Sequence, residues 1–166
     1  MNSNHKNSDH INVQSKLKKN EILRKIKKIL KLQLYGILAT SYNNQPYTSL
    51  LAFAASEDMK NIYMATSKTT HKFQYVKENE KTAFFIDTRE NDNFDVNKAY
   101  ALTAIGKATP INKKDSPEIE KLYLSRHPQL ETFIHLPNVQ FLQMKISSFS
   151  FVQRFQNVFL LDMDNK

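Results

Sequence analysis

Two glycines, Gly36 and Gly106, serve a chain of 166 residues. That scarcity constrains fold and chemistry together. A dinucleotide-binding fold needs a glycine-rich turn, and a P-loop needs glycines beside its lysine. Neither motif is present. A phosphate bound by this chain would have to meet side-chain hydroxyls, lysine and helix-end amides. Cysteine is absent too, which removes disulfides, thiolate nucleophiles and cysteine-ligated metals.

The chain offers instead a succession of short apolar runs separated by turn signals. Tyr35 to Tyr42 (YGILATSY) reads as a first strand, Asn43-Asn44 as a turn, and Pro46 to Ser56 as a longer second strand returning as a hairpin. Within it, Leu50 to Ala55 is small and apolar, the composition of a strand buried on both faces. Glu57 to Lys60 makes the next turn, and a third strand starts at Asn61. Thr82 to Thr88 and Ala99 to Ile111 give a fourth and a fifth, with a charged loop over 89–97 and Gly106 at a bulge or bend. Val139 to Ile146 and the aromatic-rich Phe149 to Met163 complete the set. The spacing predicts a mainly β fold with flanking helices, closed as an antiparallel barrel of six or seven strands.

The helices are read from their ends and faces. His71 to Glu78 is short, with Phe73 and Val76 inward. Ser116-Pro117-Glu118 places a cap, a proline and an acid in order, and that helix stops before His127-Pro128. A further short helix covers Gln129 to His135. Residues 1–14, rich in Asn, Ser, His and Lys, read as a disordered tail. Residues 15–32 read as a basic amphipathic helix with Ile22, Ile26, Ile29 and Leu30 on one face.

The formal charge is +8, and it is unevenly placed. Residues 1–32 carry nine lysines and arginines against Asp9 and Glu21, so the remaining chain is close to neutral. The high pI thus describes one segment, and nucleic acid is not an expected partner. The basic helix either packs its apolar stripe on the domain, leaving its lysines in water, or touches a membrane surface; the first is the plainer reading. No segment has the apolar length to span a bilayer, and the first twenty residues lack a signal-peptide core, so a cytoplasmic location is expected.

The stretch Asn61 to Lys72, NIYMATSKTTHK, carries the chemistry. It reads as strand, polar turn and first helical turn. Thr66, Ser67, Thr69 and Thr70 place four hydroxyls in five positions, Thr70 can cap a helix starting at His71, and Lys72 lies in its first turn. A helix start exposes unpaired N–H groups and partial positive charge, which suits an anion. A plain strand–turn–helix connection with solvated polar groups satisfies the same pattern.

These features resemble the flavin-binding split-barrel family related to pyridoxamine 5′-phosphate oxidase. The segments carrying the resemblance are YGILATSY, QPYTSLLAF, NIYMATSKTTHKFQYVKENEKTAFFID and AIGKATPI. It implies a split-barrel domain over 33–166, a homodimer, and FMN at the dimer interface, with haem or a deazaflavin as alternative cofactors. It places the FMN phosphate at Thr66, Ser67, His71 and Lys72, and the isoalloxazine ring along Thr48, Ser49 and Leu50, where strand N–H and C=O groups can pair with its polar edge. Arg154 and Phe155 are further candidates near the ring. The substrate-binding Arg/His segment of the true oxidase has no match, so the resemblance points to a flavin oxidoreductase for another small molecule, reduced by a nicotinamide or other donor. Haem-binding and haem-degrading relatives give the rival reading, with His71, His127 and His135 as conceivable ligands. Plainer roles for these histidines are a helix start, a helix stop and a loop.

Overall fold

A computed structural model describes residues 5–112, 116–154 and 157–163, with side chains described from residue 18 onward. Its elements are α1 (His5–Leu32), β1 (Tyr35–Tyr42), β2 (Gln45–Ala55), β3 (Asn61–Ser67), α2 (His71–Glu78), β4 (Lys81–Asp87), α3 (Asp95–Lys98), β5 (Tyr100–Ile111), α4 (Pro117–Arg126), a single 3-10 turn (Pro128–Leu130), α5 (Glu131–Ile134), β6 (Val139–Gln153) and β7 (Asn157–Asp162).

All strand pairings are antiparallel. The order β3-β2-β1-β4-β5-β6-β7, with β3 also pairing β6, closes six strands into a barrel and leaves β7 as an extra strand on β6. Alternation along each strand explains the closure. Leu38, Phe53, Phe84, Ile86, Leu102, Phe149 and Phe151 point inward and are fully or almost fully buried. Phe73 and Val76 of α2, and Ile22, Ile26, Ile29 and Leu30 of α1, join the same apolar cluster. A second cluster lies outside the barrel wall. There Tyr123 of α4 and Ile134 of α5 pack on Ala52, Ala54, Ala65, Val139 and Phe141. The small alanines let α4 approach closely.

Several sequence expectations need correction. Helix α1 begins at His5, so residues 5–14 are helical rather than a tail, and residues 1–4 lie outside the described residues. No Gly or Pro interrupts 5–32, and extending a helix is easier than starting one. Strand β6 runs unbroken through Ser147-Ser148 to Gln153; only β7 is separate. Leu50 is 71% exposed, so burial on both faces holds only for Ala52–Ala54, where α4 covers the outer side. Gly106 does sit at a register shift between β5 and β6. Asn43 and Asn44 both take positive φ, 48° and 61°, the conformation of a primed hairpin turn whose twist matches its strands.

Candidate functional site

The barrel is not sealed along its whole height. Strand β2 pairs β3 only at Phe53↔Met64, Ala54↔Tyr63 and Ala55↔Ile62. From Gln45 to Ala52 its one strand neighbour is β1, while the far end of β3, Ala65–Ser67, pairs β6 alone. The two strands therefore splay apart, and one edge of β2 beside Thr48, Ser49 and Leu50 has no strand to satisfy its N–H and C=O groups. Helix α2 stands next to this split. Its His71 ring lies 5.9 Å from Tyr47 of β2, and Tyr75 lies 5.8 Å from the same tyrosine.

The fold thus brings the two predicted groups, Thr48–Leu50 and Thr66–Lys72, to one region. Their side chains do not all face one way. Ser49 is opposite inward-facing Leu38, and its buried Oγ finds no hydrogen-bond partner among the described residues. Thr48 and Leu50 lie on the outer face and are exposed.

At the β3–α2 corner the hydroxyls are partly spent on one another. The Thr70 Oγ1 donates to the Ser67 carbonyl at 2.8 Å. Having one proton, it must accept at its 3.1 Å contact with buried Thr66, so Thr66 is the donor there. Ser67 Oγ accepts from Asn138 Nδ2 at 3.0 Å and from the Thr69 amide at 3.3 Å. Its own proton then points to Thr69 Oγ1, 2.9 Å away. The Thr69 hydroxyl, exposed on the turn, is left as the free O–H donor. Sequence reading named Thr69 among the four hydroxyls but not among the contacts; only the hydrogen-bond order separates it from Ser67.

Thr70 occupies the N-cap of α2, but its side chain makes no cap bond. Its hydroxyl is turned to the loop instead. The first amides of α2, at His71, Lys72 and Phe73, therefore have neither an intrahelical acceptor nor a capping oxygen. Lys72 is half-buried, and burial lowers its pKa from the ordinary lysine value. No carboxylate among the described residues pairs with it. A half-buried ammonium without a counter-charge, beside uncapped helix amides, is electrostatically unfinished. An anion with several oxygens completes it. Ser49, with its orphaned hydroxyl, and the bare β2 edge offer polar partners to the planar remainder of such a ligand, so the residues present fit FMN.

The other candidates fall elsewhere. His127 is fully buried, with Nε2 2.8 Å from the Phe53 carbonyl. His135 contacts Glu120 at 3.2 Å and the Glu131 carbonyl at 2.8 Å. Arg154 is exposed at the β6–β7 turn with φ 50°, and Phe155 lies outside the described residues. Among the described residues no cluster of three or more His, Cys, Asp or Glu could hold a metal, and no helix is long and apolar enough to cross a membrane.

The sequence model described as pyridoxamine 5′-phosphate oxidase matches residues 22–153. The chain belongs to the pyridoxamine 5′-phosphate oxidase family. The match takes in β1 through β6, so the split barrel of this family includes both halves of the site. No curated protein matches the chain significantly. Solved structures share the fold at low identity. A heme binding protein from Mycobacterium smegmatis superposes with TM-score 0.72 at 11% identity, over 82% of this chain and 55% of that one. General Stress Protein 26 from Bacillus anthracis gives 0.66 at 18%, over 84% and 97%. A FAD-binding protein from Mesorhizobium loti gives 0.61 at 16%, over 75% and 88%. The chain thus spans about half of the first of these proteins and most of the other two.

Proposed function

We propose that this member of the pyridoxamine 5′-phosphate oxidase family is an FMN-binding oxidoreductase acting on a small molecule. The observation that carries the reading is Lys72, a half-buried ammonium without an acidic partner among the described residues, at the open start of α2. Lys72 and the amides of His71–Phe73 hold the phosphate, with the Thr69 hydroxyl reaching it from the turn. Thr66, Ser67 and Thr70 keep that turn in shape through their mutual hydrogen bonds. The unpaired β2 edge at Thr48–Leu50 binds the polar rim of the ring, and Ser49 supplies a hydroxyl from the inner side. Bound FMN supplies hydride and electron transfer, and the chain positions it and limits water around it.

A second copy of the chain completes the site in this reading. Leu50, Ile37 and Phe85 stand in direct register on the outer sheet face, and the row continues through Thr103 and Ser150 to Leu160, 79% exposed. A row with apolar residues at both ends and uncharged ones between suits a homodimer contact. A nicotinamide or other donor then reduces the flavin, and a small electrophile accepts from it.

The absorbance spectrum and mass of the ligand that co-purifies with the full chain test the cofactor. Flavin bands and the mass of FMN are expected. A Soret band with no flavin would replace the reading with the haem one, which the similarly folded heme binding protein favours.

A further inference from the structure

The last strand of the sheet, β7, has an open edge. It pairs β6 on one side, and among the described residues no strand lies on the other. Which groups the edge exposes follows from one hydrogen bond. The Met163 N–H donates to the Ser147 carbonyl at 2.8 Å, and these residues stand opposite each other when the β6–β7 register is carried on by one position. In an antiparallel ladder a residue turns both of its main-chain groups to one side, and the side alternates along the strand. Phe159 and Leu161 therefore bond β6. Val158 and Leu160 turn their N–H and C=O groups to the open edge.

The same two residues carry exposed apolar side chains, Val158 at 58% and Leu160 at 79%. Edge strands are ordinarily guarded by lysine, proline, a bulge or a covering element. Residues 157–161 contain no charge and no proline, and the β6–β7 register runs without a shift. The strand also borders an open hollow of about 420 Å³, which Lys18, Lys19 and Ile22 of α1 line with it. Main-chain donors and acceptors in alternation along an open edge fit one kind of occupant, another extended strand.

We propose that β7 pairs with β7 of a second copy of the chain, antiparallel, about a two-fold axis at Phe159. The edge is its own complement in that register. Val158 stands opposite the partner's Leu160, and Leu160 opposite the partner's Val158, so the two groups of each residue meet their counterparts. On the outer face Val158 and Leu160 cover one another across the axis. On the inner side Phe159 meets the partner's Phe159, an aromatic cross-strand pair. Moving the axis to Leu160 would set Val158 against Asp162 instead. Charge suits a second copy as well. The chain carries +8, so its copies repel at long range, but residues 157–161 bring no charge to the axis from either side. One strand pair is a smaller contact than the roughly 1,200–2,000 Å² of stable interfaces, so pairing follows concentration. This main-chain contact is distinct from the outer-face row, and it does not rest on the flavin reading.

Amide exchange by NMR on the full chain, at low micromolar and at near-millimolar concentration, tests the pairing. The Phe159 and Leu161 amides, held by β6, should be protected at both. The Val158 and Leu160 amides should exchange freely when dilute, and about tenfold more slowly once roughly nine copies in ten are paired. Leu160→Pro removes an open-edge N–H but no bond to β6, a change an edge strand tolerates. Its mass by light scattering at the high concentration should be about half that of the wild type. Leu160→Ser keeps the N–H and loses the side chain, so it should weaken association yet retain the concentration-dependent protection of the Val158 amide. Amides at 158 and 160 that exchange at one rate at all concentrations would give the edge to a strand of some other partner and overturn the pairing. A Leu160→Pro mass equal to wild type would overturn it too. So would a loss of protection in Leu160→Ser as complete as in Leu160→Pro, which would move the contact to the side chains of the sheet face.

Discussion

At the scale of single residues, Lys72 shows a conflict between stability and binding. Its pKa is lowered by burial, so the folded chain holds the proton less well than the unfolded one. Below the folded pKa that mismatch costs stability, and the cost is relieved as pH rises towards the unfolded value. Lys72→Met removes the charge and keeps the stem. It should therefore raise the Tm of flavin-free protein near neutral pH while abolishing tight FMN binding, read by thermal denaturation and by flavin titration. The same linkage gives a pH dependence. FMN affinity should fall as pH climbs through the titration of Lys72, below the ordinary lysine value of 10.5, and Lys72→Met should lose that alkaline fall. The lysine was legible in the sequence from its place after four hydroxyls. The division of labour among those hydroxyls was not, because Thr66, Ser67, Thr69 and Thr70 differ only in who donates to whom. Ser49 was legible as a position, but its orphaned Oγ depends on what surrounds it.

At the scale of elements, Gly106 fixes how β5 meets β6. A Cβ there would collide with the Lys145 carbonyl oxygen, which belongs to the backbone and cannot swing away. Gly106→Ala should cost about 1–3 kcal/mol, the range for overpacking, measured as a lower urea midpoint with an unchanged m value. The bulge was readable because glycine breaks an otherwise continuous strand pattern. The length of β6 was not, since Ser147-Ser148 resembles a turn by composition. In the structure Ser147 Oγ donates to the Ile105 carbonyl at 3.1 Å, and its own carbonyl accepts from Met163. The 89–97 segment was legible as a charged loop, but the short helix α3 at its end and the turn bonds that order it were not. Asp95 accepts from the amides of Glu90, Asn91 and Asp92, and bonds over three to five residues leave no periodic signature.

At the scale of the whole molecule, α1 belongs to the core. Ile22, Ile26, Ile29 and Leu30 are each at most 5% exposed. At about 1.5–3 kcal/mol apiece, an upper estimate because unfolded chains are not fully extended, their burial rivals the whole stability of a typical domain. Arg126 adds a clamp, its guanidinium donating to the carbonyls of Lys31, at 2.7 Å, and Gln33. Removing residues 1–32 should therefore abolish the cooperative thermal transition and the dispersed NMR spectrum; a folded truncated barrel would show that α1 is an appendage. The apolar stripe of α1 was legible from its spacing, whereas its clamp was not, because Arg126 lies 93 residues beyond Gln33. In the proposed reading the three scales meet at the start of α2, where Lys72, with no acidic partner among the described residues, would meet a ligand's phosphate. Calorimetric affinities for FMN and for riboflavin, which lacks the phosphate, measure that contact in the wild-type chain and in Lys72→Ala. FMN should bind at least roughly tenfold more tightly than riboflavin, and Lys72→Ala should erase most of the difference. Equal affinities in the wild type, or a preference that survives Lys72→Ala, would contradict it.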